Sequence, residues 1–301
     1  MRQLILIGFV GLAAQLVDGA LGMGYGVTSS SLLLLVGLSP ALASASVHLA
    51  EVGTNVASGL SHWRLGNVDW RLVLRLGVPG AIGAFAGATF LSKLSTEWAS
   101  PIMAAILALL GAYILLRFAF RPPAVAHARR TPHTSRFLVP LGLFGGFVDA
   151  TGGGGWGPVS TTSLLSAGRT APRTVIGSVD TSEFLVSFSA SVGFLLALGT
   201  SGIQFSIVGV LLLGGLIAAP LAAWLVTKLP ARVLGTAVGG LIIVTNLRTL
   251  IGAAGGSDAL QWASLAAVGV LWAGLVVHSV VQHRRHGAVV VRRPEPLEVP
   301  A

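Results

Sequence analysis

Long runs without a charged residue dictate the solvent in which this chain can fold. Residues 98–116, 184–227 and 259–283 hold no Asp, Glu, Lys or Arg, giving runs of 19, 44 and 25 residues. A helix needs about 20 apolar residues to cross a bilayer, so the middle run is long enough for two. Of the 301 residues 53% are hydrophobic and 10% charged, too little polar surface to cover a soluble globule of this size. The apolar runs are Leu, Ala, Val, Ile and Gly at helical lengths, which predicts a helical bundle rather than a barrel of alternating ten-residue strands. Forty glycines suit close helix packing in lipid.

The formal charge of +9 does not point to nucleic acid, because the arginines sit in short loops between apolar segments and form no continuous basic face. Without cysteine there is no disulfide or thiol chemistry, and compartment cannot be read from redox arguments. Arg2 and the apolar run after it have the form of a signal peptide. An internal repeat argues against cleavage of these first 17 residues.

The repeat aligns Asp18-Gly-Ala-Leu-Gly-Met-Gly-Tyr-Gly with Asp149-Ala-Thr-Gly-Gly-Gly-Gly-Trp-Gly at an offset of 131, with an Asp, three Gly and an aromatic in register. Both copies run into hydroxyl clusters, Thr28 to Ser31 and Ser160 to Ser163. After one inserted residue the offset is 132 and pairs Pro40 with Pro172, His48 with Asp180, Glu51 with Glu183 and Asn55 with Ser187. Two gene halves of similar layout follow. Each reads as a short apolar segment, a Gly-rich break, a second short segment and three longer helices. In the first half these cover 3–17, 25–37, 41–61, 70–92 and 98–117, and in the second 137–149, 156–168, 172–200, 203–227 and 232–251. One further helix is expected at 258–283.

The expected organisation is a first transmembrane repeat over 1–117, a solvated cytoplasmic linker over 118–136, a second repeat over 137–252, an extra C-terminal helix within 253–283 and a disordered cytoplasmic tail over 284–301. The two short segments of each half are read as under-length for spanning, forming a broken or re-entrant hairpin. Three spans per repeat then invert the second copy relative to the first. With the linker inside, sixteen of the 19 Lys and Arg fall on the cytoplasmic side, and only Arg2, Lys93 and Arg248 lie outside. The N-terminus is expected outside and the C-terminus inside. Seven spans with two hairpins, or eleven crossings, satisfy that bias equally.

A Gly-rich break within the membrane leaves backbone N–H groups without helical partners, tolerable only where protein or a water-filled cavity satisfies them. The helix after each break would aim its N-terminus toward the midplane, with free N–H groups and the positive end of its dipole. Gly24, Tyr25, Gly26, Thr28, Ser29 and Ser30 form one such end. Gly153, Gly154, Gly155, Trp156, Ser160, Thr161 and Thr162 form the other. Broken helices of this kind hold anionic groups without a buried cation. The competing reading is that the glycines only let helices pack closely. Four in succession, Gly152 to Gly155, are poor for a helix at about 1 kcal/mol each.

Intramembrane ionisable residues default to function. Asp18 and Asp149 precede the two breaks, either as proton or cation sites or as acceptors that tie each tip together. His48, Glu51, Asn55 and Ser58 share one helical face, and Asp180, Glu183 and Ser187 repeat that stripe. His48, one turn from Glu51, has the chemistry of a proton relay, with a plain helix contact as the alternative. No ATP-binding P-loop or metal-ligand spacing occurs, so no cofactor or metal is expected.

The paired segments Gly19-Ala-Leu-Gly-Met-Gly-Tyr-Gly and Thr151-Gly-Gly-Gly-Gly-Trp-Gly, with the two-half layout and basic linker, resemble the sulfite exporter TauE/SafE family over residues 3–252. The resemblance implies a secondary transporter of the bacterial cytoplasmic membrane for sulfur-containing anions, sulfite or an organosulfonate such as sulfoacetate, commonly in export. The first half departs from the second by carrying Leu21 and Met23 within its break. The expected mechanism is alternating access with the hairpin tips meeting near the midplane, proton coupling through the polar stripes, and no catalysis. Expected partners are the small anion, protons and membrane lipid, with homo-oligomerisation left open. An anion channel, a membrane-embedded enzyme using the carboxylates and His48, and a structural assembly factor remain as alternatives.

Overall fold

A computed structural model describes residues 2–21, 23–120, 133–225 and 230–290. Most of the linker and the tail from residue 291 lie outside the described residues, as does Gly22. Among the described residues there are eleven α-helices and no strand. The first five are α1 (Arg2–Leu21), α2 (Tyr25–Leu35), α3 (Pro40–Arg64), α4 (Trp70–Lys93) and α5 (Thr96–Phe120). The order then recurs in α6 (Ser135–Gly152), α7 (Thr162–Ala167) after a π-helical turn at Gly157–Thr161, α8 (Pro172–Leu198), α9 (Phe205–Leu225) and α10 (Ala231–Ala253). The last helix is α11 (Asp258–Val290), which continues past the expected end at 283.

Local chemistry accounts for the boundaries. Pro40 and Pro172 open α3 and α8, where the missing N–H is not needed. The Asp69 carboxylate caps α4 by accepting from the N–H groups of Arg71 and Leu72 at 2.9 and 3.3 Å. Five of these helices are long and apolar enough to cross a membrane: α4, α5, α8, α10 and α11. α3 has 25 residues but carries the polar stripe, so length and not hydropathy marks it.

The first limb of each pair differs from expectation in its bounds, and neither is among the five long apolar helices. The first short segments were assigned to 3–17 and 137–149, yet α1 has 20 residues and α6 has 18. At about 1.5 Å per residue these approach the thickness of a bilayer core. Both helices run on through Asp18 and Asp149 because these carboxylates turn toward the next helix instead of ending their own. Only the second limb of each pair is half-length, with 11 residues in α2 and the same span in Gly157–Ala167.

The most extensive packing joins the two halves crosswise: α1 lies along α9, α4 along α6, α3 along α8 and α5 along α10. Glycines set the distance. A methyl group at Gly11 of α1 would collide with the Leu211 backbone, and one at Gly142 of α6 with that of Leu76. Apolar side chains such as Phe9, Ile82, Leu109 and Leu196 face outward, whereas His48, Glu51, Asp149 and many hydroxyls are buried. That polarity is inverted relative to a water-soluble protein and suits a lipid surround.

Candidate functional site

The breaks bring the two halves together in the core. Asp18 Oδ1 accepts the backbone N–H of Tyr25 at 3.2 Å, and Asp149 Oδ1 accepts that of Trp156 at 2.9 Å. Each carboxylate thus reaches seven residues forward and caps the first N–H of the half-length segment. Both positive helix ends already face an acid of their own chain.

Gly153, Gly154 and Gly155 have φ of 68°, 152° and 153°, a backbone conformation that side-chain-bearing residues rarely adopt. Gly154 also lies under the other tip: a Cβ built on Gly26 would come within 2.6 Å of the Gly154 Cα and 3.0 Å of Glu51 Oε1. The matching contact sets Met23 against Gly157, whose added Cβ would be 3.0 Å from Met23 Cβ. The unequal glycine content of the two breaks therefore has a local cause. Met23 packs sideways on Gly157, while its counterpart Gly154 must pass beneath a backbone. Ser30 donates to the Gly153 carbonyl, and Ser44 donates to that of Ala150 at 2.6 Å.

The polar stripes of α3 and α8 lie beside this crossing. His48 Nδ1 is 3.0 Å from Glu51 Oε2 and 3.8 Å from Asp149 Oδ2. Ser187 donates to the same Glu51 oxygen at 3.2 Å, and Asn55 reaches Ser187 at 3.5 Å. Ser58 donates to Asp180 Oδ2 at 2.6 Å. His48 and Asp149 are fully buried.

A cavity of about 430 Å³ opens onto part of this network. Seven of the residues singled out in the sequence line it: the carboxylates Asp18, Glu51, Asp180 and Glu183, with Tyr25, Asn55 and Ser58. Its wall thus carries four carboxyl side chains, with His62 as the imidazole among them. The remaining candidates lie off it. Thr28, Ser29, Ser30, Ser160, Thr161 and Thr162 are buried against neighbouring helices, and Thr162 bonds back to the Pro158 carbonyl. Thr28 Oγ1 and Ser160 Oγ have no hydrogen-bond partner among the described residues. Gly153, Gly154, Gly155 and Trp156 belong to the sealed tip, and Ser187 joins through Glu51.

The sequence reading omitted Gln15, Thr54, Ser61, His62 and Gly215 from the candidate site, and all five line the cavity. For His62 the signal was present: positions 48, 51, 55, 58 and 62 continue one face at steps of three and four. Gly215 carries no such mark, since only the packing of α9 brings it there.

The family model described as sulfite exporter TauE/SafE matches residues 7–249. The chain is 50% identical over 277 residues to a probable membrane transporter protein, YtnM, of Bacillus subtilis, covering 92% of each chain. It is 25% identical over 235 residues to YdhB of the same organism, also a probable membrane transporter protein, covering 78% of this chain and 90% of that one. No solved structure matches. A multi-pass bacterial membrane protein from a family of transporters, not of enzymes, accounts for the apolar exterior and the buried polar crossing together. The chain belongs to the sulfite exporter TauE/SafE family.

Proposed function

We propose that the chain is a secondary transporter that exports a small sulfur-containing anion, sulfite or an organosulfonate, by alternating access coupled to protons. The observation that carries the alternating-access reading is a carboxylate-bearing cavity that reaches Asp18 and Glu51, while Trp156, Ala190 and Phe194 in the other half are fully buried; the substrate class rests on the family. A path open at one end and shut at the other suits a carrier better than a channel.

Inverted repeats over 1–117 and 137–252 would supply the second state. The recurring element order and the crosswise packing of α1 on α9 and α6 on α4 support a pseudo-two-fold axis between the halves. Charge bias supports a cytoplasmic linker, with the end of α3 at Arg64 on the same side. The cavity, running along α3 past Ser58 and Ser61, then opens inward.

Charge also bears on the mechanism. An anion entering beside four carboxylates is repelled unless protons accompany it, because like charges interact strongly where water is scarce. The acidic stripes, with His48 and Glu51 in contact, support proton movement as part of the cycle. The free hydroxyls of Thr28 and Ser160 and the helix starts beside them would serve the anion once the tips rearrange.

Purified protein in sealed vesicles under an imposed pH gradient tests this reading. Saturable flux of sulfite or sulfoacetate, with counterflow and without comparable chloride flux, is the expected result. Absence of flux with every sulfur oxyanion at millimolar concentration would overturn the substrate, and flux without counterflow would favour a channel.

A further inference from the structure

The two faces of the crossing are built from equivalent parts, yet the α3–α9 face opens onto the carboxylates whereas the α4–α8 face carries an apolar groove lined by Val78, Ala81, Ile82, Phe85, Leu185 and Ser189 and is shut to them. Helices α4 and α9 correspond at an offset of 135. Gly142 meets Leu76 as Gly11 meets Leu211, and the helices begin at Trp70 and Phe205. Gly80 then corresponds to Gly215, and the aromatic after each break, Trp156 or Tyr25, lies over its glycine.

The fit differs between the copies. A Cβ at Gly80 would fall 2.6 Å from the Trp156 ring at Cζ3, so the indole fills a notch that only glycine leaves. Its Nε1 donates to the Val179 carbonyl at 3.1 Å and to Ser182 Oγ at 3.2 Å, tying α8 to the tip. Ser189 donates to the Ala81 carbonyl at 2.7 Å, and a Cβ at Gly193 would meet Phe85 O at 3.3 Å, which brings α8 onto α4 along its length. In the other copy, the corresponding Cβ at Gly215 would lie 3.6 Å from the Tyr25 hydroxyl and 3.7 Å from its Cε2, ordinary contact, and that hydroxyl donates at 3.5 Å to the Leu211 carbonyl of α9 itself and so does not tie α3 to the tip. Ala57 and Leu216, the equivalents of Ser189 and Ala81, line the carboxylate cavity and share no bond like that from Ser189 to Ala81, whose own pocket is an apolar groove over Val78, Ile82, Phe85 and Leu185. Ser61, the equivalent of Gly193, lines it too.

We infer that Trp156 seated on Gly80 is the latch that holds the α4–α8 face shut, and that Tyr25 over Gly215 is its weaker counterpart. The chain rests with the α3–α9 face open for that reason. In the opposite state Tyr25 sinks onto Gly215 and Trp156 leaves Gly80. Both are positioning residues for the cycle, and the assignment rests on the alternating-access reading above.

The absence of native cysteine allows single reporters without background. Ser61→Cys reports the open face, and Ala190→Cys, at a fully buried position equivalent to Ser58, reports the shut one. A small water-soluble thiol reagent in detergent makes the readout independent of orientation. With the latch intact, Ser61→Cys reacts and Ala190→Cys does not. Trp156→Phe, which removes the Nε1 donor and the ring edge at Gly80, is expected to raise labelling of Ala190→Cys about tenfold and to lower that of Ser61→Cys, as a shift between two states requires. Tyr25→Trp should protect Ser61→Cys, and it carries the test if Trp156→Phe does not fold. Unchanged labelling in a folded variant, or both reporters becoming reactive together, overturns the latch. Vesicle flux is read separately: reporters that exchange in a protein that moves no sulfur anion would overturn the substrate and leave the latch standing.

Discussion

Asp18 and Asp149 are the same residue used in two environments, and their contrast is measurable. Both cap the N–H seven residues on, but Asp18 borders the cavity and Asp149 is fully buried. Losing an acceptor costs little where water can replace it and roughly 1–3 kcal/mol where the donor is left buried and unpaired. Asp149→Ala is therefore expected to lower thermal stability in detergent clearly more than Asp18→Ala. Asp149→Asn, which keeps an acceptor oxygen for the Trp156 N–H, should fall between wild type and Asp149→Ala. Equal melting temperatures for the two alanine variants would remove the contrast between the cavity-facing and the buried cap. The sequence carried the pair and its register, and the Gly run between them, because both follow from local backbone needs. It did not carry the choice between cap and proton site, which depends on where the carboxylate oxygens point.

At the scale of elements, the stripe on α3 was legible because a polar face on an apolar helix has a fixed spacing. The partners of that stripe were not. His48 meets Asp149, and Ser30 meets Gly153, across more than a hundred residues of chain, and only the crosswise packing of the halves joins them. The same limit applies to the hydroxyls of α2 and the turn before α7, whose composition suggested a ligand site but which lie buried beside the open cavity. The ends of α1 at Leu21 and α6 at Gly152 lie a few residues past those expected for a related reason: a Gly-rich sequence marks a break but not how far the preceding helix runs. The stripe leads to a kinetic expectation. If protons move through the facing acids, Glu51→Gln and Glu183→Gln should abolish flux driven by a pH gradient while retaining anion counterflow to within a few fold. Loss of both modes together would assign these residues to anion binding or to folding, and preservation of gradient-driven flux would place the proton path elsewhere.

For the whole molecule, the interior is held by backbone proximity more than by apolar side chains alone. Lipid tails are as apolar as Leu, so helices gain little by burying Leu against Leu in a membrane, and close contact between backbones matters more. The two crosswise seams express this in parallel: Gly11 sits on the Leu211 backbone in one, and Gly142 on the Leu76 backbone in the other. α11 stands outside this scheme, packing chiefly on α10, where Trp272 covers Gly240 and its Nε1 donates to the Thr236 carbonyl at 3.2 Å. If the seams are related by the pseudo-two-fold axis, Gly11→Val and Gly142→Val should destabilise by similar amounts, on the order of 1–3 kcal/mol from forced separation of the helices. Gly209→Val and Gly269→Val, where an added Cβ meets nothing within 4 Å, serve as controls and should leave the melting temperature nearly unchanged. A large cost at one seam and none at the other would mean that the halves carry unequal mechanical roles. The exchange of open and shut faces would then have to pivot on one seam, because an element that packs loosely in both states cannot transmit the closure of one face to the opening of the other.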